Sequence, residues 1–293
     1  MTRVEIAAHL GISRFRVARL LDGAIEDGLV RIEYRDVPPE DRGLATALEE
    51  RFGLDLCAVA VGGSGSATRL AGAVLDALIG PDDVVGIAWG STLAAVVREM
   101  AQRTATGLDV VQLAGSSTRL ERDRDPGELA RTLADRLGAT CRRIYAPTFV
   151  GSAAVRTELL HQPEVAEATN RFATVTIGVV GIGAIPAGEA GGTSSLVQSG
   201  VLGDDDVARL VAAGAVGDLV VHPFDASGGF VAPDLAARAI AIGVDELRAI
   251  PRVVAVAAGA GKATAIRGAL ASGVVDLLVT DAPTARAVLE AAR

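Results

Sequence analysis

Apolar and polar positions along the chain change rhythm twice, and each rhythm predicts a different structure. In "TRVEIAAHL" a helical period places Val4, Ile6, Ala7 and Leu10 on one side, and Gly11 stands where the helix needs a left-handed terminus. "GIS" makes a turn, Ser13 is a suitable N-cap, and the next helix directs Val17, Leu20, Leu21 and Ala24 inward. Gly28 stops that helix, "LVRIEY" alternates like a short strand, and Pro38-Pro39 marks a linker before the helical "EDRGLATALEERFG".

From Asp55 onward, short uninterrupted apolar runs replace alternation. "LCAVAVGG", "DVVGIAWG", "LDVVQLAG", "CRRIYAP", "TVTIGVVGIG", "AVGDLVVHPF", "RVVAVAAGAG" and "VVDLLVTD" read as strands. Helical stretches near 67–79, 91–103, 127–137, 262–272 and 282–291 separate many of them, with two more helices after "CRRIYAP". Continuous Val/Ile/Leu strands between helices are covered on both faces, which predicts the α/β class with a largely parallel sheet. The expected domains are a helix-turn-helix head at 1–35, a linker and helix at 36–54, and a large α/β domain at 55–293.

Charge changes the reading of the head. The net charge is -8 overall, yet residues 1–35 hold six arginines against five acids, and "SRFRVARL" has three arginines and no acid. A basic face on an acidic body is the pattern of a small DNA-reading module attached to something else. Ser13, Arg14, Arg16 and Arg19, at the start of the second helix, are placed to enter a major groove. A three-helix head also needs a covering helix before Val4, and Met1 begins too late to supply it, so the head is expected to lack its first helix.

Composition excludes other classes. Cys57 and Cys141 form no CxxC, and His9, His161 and His222 have no partners at ligand spacing, so neither a disulfide framework nor a metal site is expected. The N-terminus is charged and interrupted, and the longest uncharged run, Phe172 to Gly188, is broken by glycines and a proline. A cytoplasmic protein without a membrane span is expected.

The ligand chemistry gathers at strand ends, where parallel sheets bind their ligands. Gly90, Ser91 and Thr92 open a helix, where free backbone N–H groups and two hydroxyls suit a phosphate. Gly115, Ser116 and Ser117 follow another strand, and Gly181 and Gly183 allow close backbone approach. For Gly115, Gly181 and Gly183 taken singly, turn geometry is the simpler reading, and for Ser91 and Thr92 capping is a rival. "AAGAGK", with Gly259, puts Lys262 in a first helical turn, where a cation opposes the helix dipole unless an anion lies between them. Lys262 is the only lysine in a chain whose other basic residues are arginine. It does not belong to an ATP-binding P-loop, because Val256 stands where the first glycine is needed and Ala263 where the hydroxyl is needed. A Rossmann dinucleotide fingerprint is also missing.

In their order, "EIAAHLGISRFRVARLL", "VVGIAWGSTL", "VVQLAGS", "GIGA", "GAVGDLVVHPFDASG" and "IPRVVAVAAGAGKATAIRGALASGVVDLLVTD" make the chain resemble the SorC family of sugar-responsive bacterial transcriptional regulators over nearly its whole length. The resemblance implies an effector domain similar to the ribose-phosphate isomerase and glucosamine-phosphate deaminase fold. It also implies a homotetramer or homodimer, an operator DNA partner, and a phosphorylated sugar or polyol as effector. By the same resemblance Gly90, Ser91, Thr92 and Lys262 hold the phosphate, and Gln112 and Asp225 are candidates for sugar hydroxyls. Asp218 is conspicuous too, although an acid ending a strand turn is as often structural, and His222 could face the pocket, although a lone histidine is more often packed core. A regulator that does no chemistry and uses no cofactor is expected, with a sugar-phosphate isomerase or deaminase of the same fold as the alternative.

Overall fold

The computed structural model describes residues 2–27, 29, 37–103, 107–117, 119, 125–185, 194–198, 200 and 202–290. It divides into two compact units, Met1–Val37 and Pro38–Arg293. In the first, α1 (Arg3–Leu10) starts with a capping box between Thr2 and Glu5 and ends at Gly11, whose φ of 64° is left-handed. Helix α2 (Arg14–Glu26) follows, with the Ser13 hydroxyl accepting from Arg16 N at 3.2 Å. Val17 is buried, as its position predicts, but Leu20 is 58 % exposed, and Val4, Leu10 and Leu21 are exposed too. Two short helices share one seam, and Val17 sits on it; Ile6, Ala7 and Ala24 are half-buried, and the ends of the apolar stripe stay exposed. Gly28 and most of "LVRIEY" lie outside the described residues.

The second unit alternates strands and helices in this order: α3 (Arg42–Phe52), β1 (Leu56–Ala60), α4 (Ser64–Leu78), β2 (Val84–Ile87), α5 (Ser91–Glu99), β3 (Asp109–Gln112), α6 (Pro126–Leu137), β4 (Thr140–Arg142), α7 (Ala153–Leu160), α8 (Pro163–Thr169) and β5 (Ile177–Ala184). After it come α9 (Ser195–Gln198), α10 (Asp204–Ala212), β6 (Ala215–Leu219), β7 (His222–Asp225), α11 (Pro233–Ala236), α12 (Val244–Arg248), β8 (Arg252–Val256), a 3-10 turn (Ala260–Lys262), α13 (Ala263–Ala271), β9 (Leu277–Asp281) and α14 (Ala282–Glu290). The main sheet runs β1-β9-β8-β5-β2-β3-β4 with every neighbouring pair parallel. Its central strands are mostly apolar because helices cover both faces: Val59, Val85, Ile177, Val254 and Val279 are all buried.

The linker is not free chain. Val61 N donates to Pro39 O and Asp41 N to Val59 O, both at 2.8 Å, so Pro39–Asp41 lies along the outer edge of β1. Helix α3 packs against β1 with Ala45 and Leu48 fully buried. The expected helix of the linker is thus part of the larger unit.

Two strand expectations change. "CRRIYAP" contributes only the short edge strand β4, and "AVGDLVVHPF" is a hairpin, not one strand. The hairpin turns at Val220-Val221, and Val220 adopts a φ of 61°. A β-branched residue held there costs on the order of 1–3 kcal/mol. The hairpin attaches to the end of β5, whose Ile182, Gly183 and Ala184 pair antiparallel with β6 after Ile177–Gly181 have paired with β8. This change of partner opens a pocket at the carboxyl ends of the strands.

Candidate functional site

The pocket encloses about 460 Å³ including its open mouth. Three adjacent strands supply it: β2 leads into Gly90, Ser91 and Thr92, β5 carries Gly181 and Gly183, and β8 leads into Lys262. Adjacency in the sheet is why these separate sequence motifs meet. Gly90 has a φ of 114°, and no side chain among the described residues caps α5, so the N–H groups of its first turn open toward the pocket. At Gly181 an added Cβ would make only ordinary contacts, 3.8 Å from Trp89 O and 3.9 Å from Leu93 Cγ. No clash requires glycine there; what its missing side chain leaves is pocket space.

Lys262 reaches in from the opposite side, its Nζ donating to Ile182 O at 2.9 Å. Burial lowers the pKa of its ammonium, and the nearby Asp218 carboxylate partly opposes that. Asp218, on β6, is the residue the sequence reading undervalued. It is 6 % exposed, lines the pocket, and its Oδ1 has no hydrogen-bond partner among the described residues. Burial pushes its carboxyl up to about 6, against the pull of the Ser194 hydroxyl and the Lys262 charge. A buried acceptor left open is costly unless something else meets it. Gly183 makes room for it, since a Cβ there would fall 2.2 Å from Asp218 Oδ1. The available signal was a lone acid in the otherwise uncharged run "AVGDLVV". Trp89, also passed over, lines the wall and donates its indole N–H to Val220 O at 2.8 Å, holding the strained turn.

A cation facing an uncapped helix start, beside an open carboxylate acceptor, is suited to a ligand with an anionic end and a hydroxyl-bearing end. Residues 39–290 match the family model described as "Putative sugar-binding domain". The erythritol catabolism regulatory protein EryD of Brucella abortus is 32 % identical over 99 % of this chain and 92 % of its own. The chain belongs to the SorC family of sugar-binding transcriptional regulators. The sorbitol operon regulator of Klebsiella pneumoniae is 28 % identical, covering 99 % of this chain and 93 % of that one. The solved full-length structure of SorC from Klebsiella pneumoniae superposes with a TM-score of 0.79 at 26 % identity, over 99 % of this chain and 94 % of that one.

The remaining candidates of this SorC-family regulator lie elsewhere. Strand β3 is on the far side of β2, so its carboxyl end stands away from Lys262. Gln112 is fully buried there, with Nε2 donating to Ala114 O at 2.5 Å and Oε1 accepting from Ile144 N at 2.9 Å. Ser116 donates to Asp125 Oδ1 at 3.1 Å beside the start of α6. Asp225 closes its own turn, accepting from Ser227 N, Ser227 Oγ and Gly229 N, and these bonds lower its pKa. Gly259 N donates to Thr284 Oγ1 at 2.7 Å, anchoring the lysine turn instead of facing the pocket. His222 is packed, its Nε2 at 2.7 Å from Ile242 O and its ring edge-on to Phe230. In the head, Ser13 caps α2, and Arg14, Arg16 and Arg19 are exposed.

The two kinds of glycine are separable by melting. At Gly115 a Cβ would fall 2.6 Å from the carbonyl oxygens of both Ala146 and Pro147. Gly115→Ala is expected to cost about 2 kcal/mol and lower the melting temperature by several degrees. Gly181→Ala is expected to melt as wild type, because its methyl enters pocket space and meets only ordinary contacts. Thermal unfolding reads both results.

Proposed function

We propose that the pocket binds a phosphorylated sugar or polyol and that its occupancy controls how a homotetramer or homodimer grips operator DNA. The phosphate lies between the first turn of α5, with Ser91 and Thr92, and the Lys262 ammonium; a ligand hydroxyl donates to Asp218. The observation that carries this reading is the partly buried Lys262 ammonium opposite the uncapped start of α5, with Asp218 Oδ1 open beside it. Relatives named for erythritol catabolism and a sorbitol operon support a polyol as the effector class. Arg14, Arg16 and Arg19 contact the DNA, with Ser13 holding the start of their helix. The mechanism is differential binding alone: the ester favours one assembly state, and the operator favours another. General acid–base chemistry needs paired groups beside a substrate carbon, and this arrangement is better suited to holding a ligand.

Trp89 is the only tryptophan and lines the pocket, so its fluorescence reports occupancy. Titration with erythritol 4-phosphate and glucitol 6-phosphate is expected to change it saturably and to shift the affinity for DNA from upstream of the protein's own operon. Replacing Arg14, Arg16 and Arg19 together with alanine is expected to abolish the DNA shift and leave the fluorescence titration intact. No response to any phosphate ester, or conversion of the esters to product, would sink the proposal.

A further inference from the structure

Helix α14 packs against both the 3-10 turn that carries Lys262 and helix α3, which follows the linker. At the pocket end, Gly259 N donates to Thr284 Oγ1 at 2.7 Å, and Thr284 N donates to Asp281 Oδ1 at 2.8 Å. Thr284 is fully buried, and its hydroxyl is the side-chain partner of the peptide that begins the lysine turn. Gly259 itself has a φ of 114°, and nothing among the described residues lies within 4 Å of where its side chain would stand. At the linker end, Asp41 caps α3 through Leu44 N at 3.1 Å, and its own N–H holds the edge of β1. Arg286 of α14 stands 3.9 Å from Asp41. That exposed pair is worth little by itself, so the relay runs through the packing of α14 on α3.

We propose that α14 transmits pocket occupancy to the base of the linker, with Thr284 as the positioning residue that ties the lysine turn to the helix. This rests on the reading of the pocket as the effector site. An anion drawn to Lys262 biases the position of its turn, and the partly buried bond from Gly259 makes α14 follow. A packed helix moves as a unit, so its contact with α3 and the Pro39–Asp41 clamp feels the same bias. The segment so displaced leads directly in sequence to the head.

The test uses the full chain, erythritol 4-phosphate and glucitol 6-phosphate as probes, Trp89 fluorescence for occupancy, and operator affinity for output. Thr284→Val removes the hydroxyl and keeps the branched shape. It is expected to bind the ester within about threefold of wild type, while the ester-induced change in operator affinity drops from about tenfold, an ordinary allosteric coupling, to under about twofold. Thr284→Ser, which keeps the hydroxyl, is expected to restore the coupling. Hydrogen exchange on the unmodified protein needs no variant to fold: adding ester is expected to slow exchange at the Gly259, Asp41 and Val61 amides together. Unchanged coupling in Thr284→Val, loss of ester binding in that variant, or exchange changes confined to the pocket would each overturn the relay while leaving the effector reading in place. Absence of ester binding in wild type would overturn both.

Discussion

Replacing Lys262 with alanine is expected to weaken sugar-phosphate binding by about 100-fold or more while leaving ester-free operator binding unchanged. A charge-assisted hydrogen bond to phosphate contributes roughly 1.5–3 kcal/mol, and about 1.4 kcal/mol is a factor of ten. The loss reaches the upper end because removing the ammonium also strips Asp218 of its neighbouring positive charge. An incoming phosphate then meets an acid with no cation between them. Lys262→Arg is expected to recover only part of the affinity, since Lys262 Nζ fits 2.9 Å from Ile182 O and a planar guanidinium needs more room. Trp89 fluorescence titration of the three proteins ranks them, and an alanine variant that binds ester as wild type does would remove Lys262 from the phosphate site.

The selection of Lys262 shows how far sequence pattern reaches. Continuous apolar strands made the parallel sheet legible, and a lysine retained among arginines marked its loop. What pattern does not carry is strand order. Gly115 and Ser116 end a strand much as Gly90 and Ser91 do, but β3 lies beyond β2, and the pocket is built by β5 and the strands paired with it. Asp218 was hidden for a related reason. The run "AVGDLVVHPF" reads as one buried strand, in which an acid looks structural; folded as a hairpin on the end of β5, the same acid is carried into the pocket. Asp225 illustrates the converse, an acid in a promising motif whose carboxylate is taken up by its own turn. The apolar positions of the head were legible as a stripe, but periodicity does not say how much of a stripe a partner covers, and Leu20 stays exposed.

Asp218 yields a prediction in which stability and binding move in opposite directions. Burial lifts its carboxyl to about 6 in the folded protein from an ordinary value of 3.8. Between those values the native state binds more protons than the unfolded chain, so stability falls as pH rises from about 4 to about 6 and is flat above. The drop is on the order of 2–3 kcal/mol, and Asp218→Asn is expected to flatten it. Loss of the negative charge beside Lys262 offsets part of this, leaving Asp218→Asn about 1 kcal/mol more stable at pH 7.5. Ester binding moves the other way. A ligand hydroxyl donating to the carboxylate favours its charged form, so ester affinity rises with pH through about 6, together with the second ionisation of the phosphate. Below pH 6 the logarithm of wild-type affinity is expected to climb with a slope approaching about two, one proton from Asp218 and one from the phosphate, and in Asp218→Asn with a slope of about one. At pH 7.5 the variant is expected to bind roughly 10- to 100-fold more weakly, the worth of a hydrogen bond to a charged acceptor. Thermal melts and fluorescence titrations across pH 4.5–8 measure both trends. A more stable protein that binds its ester less well marks Asp218 as a residue whose energetic cost is met by the ligand; a variant that loses stability and keeps affinity would return Asp218 to the structural role its strand position first suggested.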